Sequence, residues 1–278
     1  MRRIVVALAG TALMLAGLLA LSGCAASTTA STTQLTVTGS TTLLPIAEVS
    51  AEDFMAANSG TRVLVSGVGS SAGIESVTNG TCDIGTSSRE LKPAELSLGL
   101  VDTPVARDAI AVIVNPGNPV TSLNTSQVAD IFSGKVRNWK EVGGPDLEIG
   151  LVNRDEASGT RQAFLELVMK GRDFDPTAAV LPGTGQVRSV VAQSRIAVGY
   201  ISLGFVDPSV KALAIDGIPA NETTVGNGTY PLSRYLHFLT KGEPTGLAKA
   251  YIDFVLSPKI QESVVRDAGF LPVTEGGK

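Results

Sequence analysis

Along this chain, short runs of period-two hydrophobicity give way, through Ser/Thr/Gly loops, to segments whose apolar residues recur at helical spacing. Leu35-Thr36-Val37-Thr38 alternates like a half-buried strand. Past Gly39, Pro45 suits a first helical turn, Leu44, Ala47, Ala51 and Phe54/Met55 fall on one face, and Asn58-Ser59-Gly60 ends the helix. Val63–Ser66 predicts a second strand, Gly73–Thr78 a short helix and Cys82–Gly85 a third strand. The apolar run Val105–Asn115 stops at Pro116-Gly117. The pattern then resumes, with a helix at Ser126–Phe132, a strand at Leu147–Asn153, helices at Thr160–Met169 and Val187–Gln193, and a buried strand at Val198–Leu203. A strand over Tyr230–Leu239 heads back, and helices over Leu247–Leu256 and Ile260–Ala268 close the chain.

Strands alternating with helices predict an α/β fold. Long apolar runs with crossovers near Val112–Pro116 and Pro231–Leu236 fit two connected α/β lobes better than one continuous sheet. The expected division is 34–113 plus 232–278 for lobe 1, completed by the C-terminal helices, and 114–231 for lobe 2.

The N-terminus adds an address. MRR is followed by Ile4–Leu21 without a charge and then by Leu21-Ser22-Gly23-Cys24, the layout of an export signal. That run is also long enough to stay as a membrane anchor. LSGC resembles the lipobox of prokaryotic lipoproteins, which implies removal of residues 1–23, lipidation of Cys24 and retention on the outer face of the membrane. Residues 24–33, with the small polar run Ala25–Thr33, predict a flexible tether. Cys82 is then the remaining cysteine, so no disulfide framework is expected and Cys82 is read as a small buried residue.

The net charge of −4 and pI near 5.2, with no Lys/Arg run, exclude broad nucleic-acid binding. An anion must therefore be held in a local pocket. Three strand–loop–helix passages suit one: Gln34–Ile46, Arg62–Ile74 and Glu148–Phe164. The first turn of a helix offers unpaired N–H groups and a partial positive charge, and hydroxyls and glycines there let an anion come close. Ser40, Thr41 and Thr42 stand in the first loop and Ser70 and Ser71 in the second, where a single N-cap would need only one hydroxyl. The third carries Arg154, able to contact an oxyanion bidentately, with Ser158, Gly159 and Thr160. The competing role for Arg154 is an ion pair with Asp155 or Glu156.

Gly69-Ser70-Ser71-Ala72-Gly73 also matches the nucleophile-elbow pattern, which would make Ser71 the nucleophile of a serine hydrolase. Its base would have to be His237, the one histidine, in an apolar strand-like setting that suits a packed imidazole. No carboxylate, His or Cys cluster has metal-ligand spacing, and Gly67–Gly73 lacks the lysine of a nucleotide P-loop, so neither metal nor cofactor is expected.

At these loops the sequence resembles the phosphate-binding proteins of phosphate ABC transporters, the PstS-type family. Six segments over Leu35–Pro272 carry the resemblance in family order: Gly39–Pro45, Gly69–Gly73, Asp83–Lys92, Ile131–Gly144, Asn153–Arg161 and Ala197–Phe205. The resemblance implies a two-lobed periplasmic-binding-protein-like fold of type II, with a cleft between the lobes closing on one inorganic phosphate, and delivery to ABC permease subunits by a monomeric, non-enzymatic receptor. It implies ligands at Ser40, Thr41, Thr42, Ser70, Ser71, Ser88, Arg154, Ser158, Gly159 and Thr160. Ser88 stands where well-known members carry an Asp, so the acceptor of the phosphate proton is open, with Asp83 and Asp108 as the nearest candidates. Another tetrahedral oxyanion, sulfate or molybdate, is the alternative ligand, and surface signalling or adhesion the alternative role.

Overall fold

The structure, a computed structural model, describes residues 33–273. The predicted signal, Cys24 and all but the last residue of the tether lie outside that range. The strands are β1 (Thr33–Gly39), β2 (Thr61–Gly67), β3 (Ile84–Ser87), β4 (Leu100–Val114), β5 (Ser122–Leu123), β6 (Gly150–Arg154), β7 (Ala179–Leu181), β8 (Ala197–Ser202), β9 (Lys211–Ala212), β10 (Ala214–Ile215) and β11 (Ser233–Lys241). The helices are α1 (Leu44–Ala57), α2 (Ser70–Thr78), α3 (Thr125–Phe132), α4 (Gly159–Phe164), α5 (Thr184–Gln193), α6 (Glu222–Gly226), α7 (Gly246–Val255) and α8 (Pro258–Ile260).

Sequence pattern and burial agree where one face is wet. In β1, Leu35 and Val37 are buried while Thr36 and Thr38 are half-exposed. By contrast β3 and β8 are buried at every position, as expected of strands covered on both faces.

Apart from β5 and β10, which pair with each other, the strands form one sheet through both halves. One hydrogen-bonded path runs β2-β1-β3-β11-β4-β8-β6-β7, with β9 also on β4. The expectation that two lobes exclude one continuous sheet is thus corrected, because β4 and β11 are long enough to serve both halves. β11 pairs antiparallel with β4 from Ser233↔Ala109 to Lys241↔Leu100, and the far end of β4 pairs with β8 from Ile110 to Val114.

The two halves keep separate cores. Leu35, Val37, Phe54, Ile84, Val105, Ala106, Leu236, Phe238, Tyr251 and Phe270 fill one. Ala109, Ile110, Phe132, Trp139, Phe164, Tyr200, Tyr230 and Leu232 fill another. Along β4 the core changes hands between Ala106 and Ala109. Residues 109–114 are buried throughout, so their apolarity does not reveal which core they serve.

Strand direction then places the loops. β1 and β3 are parallel, β11 opposes β3, and β4 opposes β11, so β3 and β4 point the same way, toward the second half. β8 opposes β4, and β6 and β7 run parallel to β8, so these point back toward the first half. The carboxyl ends of both parallel sets therefore meet at the crossover, the customary place for ligands in open α/β sheets.

Candidate functional site

The first loop turns at Gly39, whose φ of 147° and missing Cβ let it pass Thr86 O; an added Cβ would lie 2.2 Å from that oxygen. Ser40 N donates to Thr86 O (3.0 Å) and Thr86 Oγ1 (2.7 Å). The N-cap of α1 is Leu43, with no side-chain capping bond, so the three hydroxyls ahead of it are not helix caps. Ser40 Oγ accepts from Thr42 N at 3.2 Å. The second loop is similar: Gly69 precedes α2 without a side-chain cap, and Ser70 Oγ accepts from Ser88 N (3.1 Å) beside Ser88 Oγ (3.3 Å). In the third, Ser158 does cap α4, accepting from Arg161 N at 3.1 Å.

These loops converge. Thr42 Oγ1 lies 3.2 Å from Thr160 Oγ1, although 118 residues separate them. Gly159 sits so close to the second loop that a Cβ there would be 2.2 Å from Ser70 Oγ and 2.8 Å from Ser88 Oγ. Ser71 N donates to Ala157 O at 3.1 Å, again joining second loop to third. Ser40, Thr42, Ser70, Ser88, Arg154, Ser158 and Thr160 are all buried.

Arg154 ends β6, 2% exposed. Nη2 donates to Thr41 Oγ1 (3.2 Å) and Pro182 O (2.8 Å), Nη1 to Thr184 Oγ1 (3.1 Å), and Nε to Leu181 O (3.2 Å). Among the described residues it makes no ion pair, so the pairing with Asp155 or Glu156 is not formed. Burial pushes this guanidinium below its ordinary pKa, opposed by Tyr200 and Asp155, while the charge of Arg234 pushes the same way as burial. A buried cation bonded to hydroxyls and carbonyls, with no ion pair among the described residues, is arranged for an anion.

Two functional positions escape the sequence reading. Thr184 opens α5 from Gly183 and lies 3.2 Å from Thr41 Oγ1 and 3.5 Å from Thr42 Oγ1. Its strand, Gly/Thr loop and helix repeat the grammar of the other three, so the signal was present. Arg234 in β11 has no such local mark. Its Nη1 donates to Ser88 O (2.9 Å) and Thr160 Oγ1 (3.0 Å).

The acceptor candidates do not reach the cluster as free carboxylates. Asp83 is exposed at the opposite end of β3, where its Oδ2 accepts from Thr36 N and Oγ1, both at 2.7 Å. Thr86 lies three positions further on, about 10 Å along the strand. Asp108 is buried but saturated. Its Oδ2 accepts from Arg234 Nε (2.9 Å) and Nη2 (2.7 Å), and its Oδ1 from Ser202 Oγ (2.8 Å) and Leu203 N (3.2 Å). Asp155 Oδ1, by contrast, is buried with no hydrogen-bond partner among the described residues.

The hydrolase constellation does not assemble. Ser71 Oγ is approached by Arg89 Nη2 at 3.5 Å, and no hydrogen bond joins Ser71 to His237 among the described residues. His237 Nδ1 lies 2.8 Å from Asp102 Oδ1, with Nε2 3.4 Å from the exposed Glu90. Burial alone would depress this imidazole, but the two carboxylates outweigh it and lift the pKa to about 9. Glu90, Asp102 and His237 each bring one ligand atom within 4.8 Å of the others. Cys82 is buried as expected, and burial pushes its thiol up to about 11.

Comparison with known proteins bears on this geometry. The PBP superfamily domain matches residues 25–259. The phosphate-binding protein PstS of Bacillus subtilis (strain 168) is 38% identical over 245 residues, spanning 87% of this chain and 81% of the relative. The chain belongs to the PstS family. Among solved structures, a phosphate ABC transporter substrate-binding protein from Clostridium perfringens with bound phosphate matches with a TM-score of 0.84 and 37% identity, covering 87% of this chain and 100% of that one. A phosphate transport receptor from Vibrio cholerae matches with a TM-score of 0.74 and 35% identity, covering 86% and 100%. The two-lobed α/β fold expected from the resemblance is the fold of this PstS family member, and its relatives are transporter binding components rather than enzymes.

Proposed function

We propose that this protein captures inorganic phosphate between its two lobes and hands it to the permease subunits of an ABC importer. The observation that carries the proposal is the buried Arg154 guanidinium, ion-paired to no carboxylate among the described residues and bonded to hydroxyls from loops far apart in sequence. Thr41, Thr42, Ser70 and Ser88 come from one half, and Arg154, Thr160 and Thr184 from the other, so closure of the halves completes the donor set. Ser40, Ser71, Ser158 and Gly159 fill out the cradle. Names of relatives and of solved structures, one with phosphate bound, support phosphate over other tetrahedral oxyanions.

Hydrogen phosphate carries a proton that needs an acceptor. Asp83 is remote and Asp108 saturated; we assign the role to Asp155, whose Oδ1 lacks a donor. A carboxylate in that role would repel sulfate, which has no proton to give.

The lobe division 34–113 plus 232–278 and 114–231, and a monomeric state, complete the picture of a binding protein that opens and shuts. The MRR start, the uncharged run and LSGC support an anchor at Cys24 on the outer face of the membrane. Among the described residues no helix is long and apolar enough to cross a membrane. Titration of the purified protein with phosphate and with sulfate by calorimetry tests the function. Phosphate should bind more tightly; no phosphate binding, or sulfate bound equally well, would reject the assignment.

A further inference from the structure

We propose that Arg234 is a positioning residue: anchored by Asp108 on the strands that connect the lobes, it fixes the hydroxyl of Thr160 as a donor to the anion. The inference rests on the phosphate assignment above and extends it to a residue that no family segment quoted for this chain contains.

The anchor comes first. Asp108 lies on β4 and Arg234 on β11, the two strands that pass from one core to the other, at the level where the cores change hands. Nε and Nη2 of the guanidinium both bind Asp108 Oδ2, and the pair is almost wholly buried, with side chains 5% and 0% exposed. Asp108 is itself braced by Ser202 and Leu203. The guanidinium plane is therefore set by the connecting strands, independently of any ligand.

The free nitrogen does the rest. Nη1 donates to Ser88 O of one half and to Thr160 Oγ1 of the other. A hydroxyl oxygen that accepts from a cation has its own proton turned away, toward Thr42 or an anion in the cradle. Asp108 offsets most of the Arg234 charge, so the contribution is direction rather than net attraction. Lysine offers the charge but not the planar fork, and it cannot hold Asp108 and reach both Ser88 O and Thr160 at once.

The test is a double-mutant cycle on the full protein, with phosphate affinity and dissociation rate measured for wild type, Arg234→Lys, Thr160→Val and the double variant. Arg234→Lys should weaken phosphate binding by roughly 10- to 100-fold, chiefly through faster dissociation. The double variant should be no worse than about threefold below the weaker single, because both changes remove the same donor. Additive losses, or an Arg234→Lys affinity within threefold of wild type, overturn the inference. Should Arg234→Lys not fold, Asp108→Asn decides the matter: a tenfold loss supports the positioning role and an unchanged affinity overturns it. Wild type that fails to bind phosphate at all would instead sink the functional assignment, so the two failures are distinguishable.

Discussion

Replacing Arg154 with Met should strongly weaken phosphate capture while leaving the fold intact. The side chain is buried, its donors reach two carbonyls and two threonine hydroxyls, and no described carboxylate neutralises it. In the bound state the ligand would be its directly paired counter-charge. Truncating one partner of a buried hydrogen-bonded charge pair costs about 2–5 kcal/mol. Retention of the hydroxyl donors and of the Arg234–Asp108 pair argues for the lower part of that range, about 2–4 kcal/mol, or roughly 30- to 700-fold in Kd. Calorimetry reads this directly, and thermal melting gives a second measure. At phosphate about 1,000 times the wild-type Kd, wild type gains about 4 kcal/mol of stability; a variant binding ~100-fold more weakly gains about 1.4 kcal/mol. An affinity within threefold of wild type would refute the assignment of Arg154 as the charge partner.

Other consequences are as direct. Gly159→Ala should hold the halves apart by overpacking against Ser70 and Ser88, lowering affinity by roughly tenfold or more, with little change in melting of the unliganded protein; calorimetry beside small-angle scattering checks both parts. Asp155→Asn should reduce the phosphate-over-sulfate ratio at least about tenfold, since the amide no longer repels sulfate, and an unchanged ratio removes Asp155 as the acceptor. His237 has a folded pKa near 9 against an ordinary 6.5, so its protonation stabilises the fold fully below about pH 6.5 and that gain is lost as pH rises through 9. Denaturant titrations should show a decline on the order of 3 kcal/mol across that window, absent in His237→Gln.

Much of this was legible in sequence because it rests on local rules. The alternation in β1, the helical face and Asn58 stop of α1, and the hydroxyl loops all follow from neighbours in the chain. What escaped depends on distant partners. The third strand was expected at Cys82–Gly85 but runs Ile84–Ser87, because Thr86 and Ser87, polar by sequence, find buried bonds to Ser40 N and to Arg89 O. α2 starts at Ser70 rather than near Gly73, since its N-terminus is set against the third loop. Asp83 was a plausible acceptor only by sequence proximity, and strand direction carries it to the wrong end. Arg234 and Asp108 are 126 residues apart, and nothing local marks either as half of a pair.

The ribbon formed by β4 and β11 also constrains how such a receptor lets go. Antiparallel partners that exchange paired bonds resist sliding, so motion between the halves is expected as a twist of the two strands where the core changes hands, between Ala106 and Ala109 on β4 and Ser233 and Leu236 on β11. A twist about one axis lifts every opposing donor together instead of peeling them off in order. Dissociation should then proceed as a single kinetic phase whose rate is governed by the whole set of contacts.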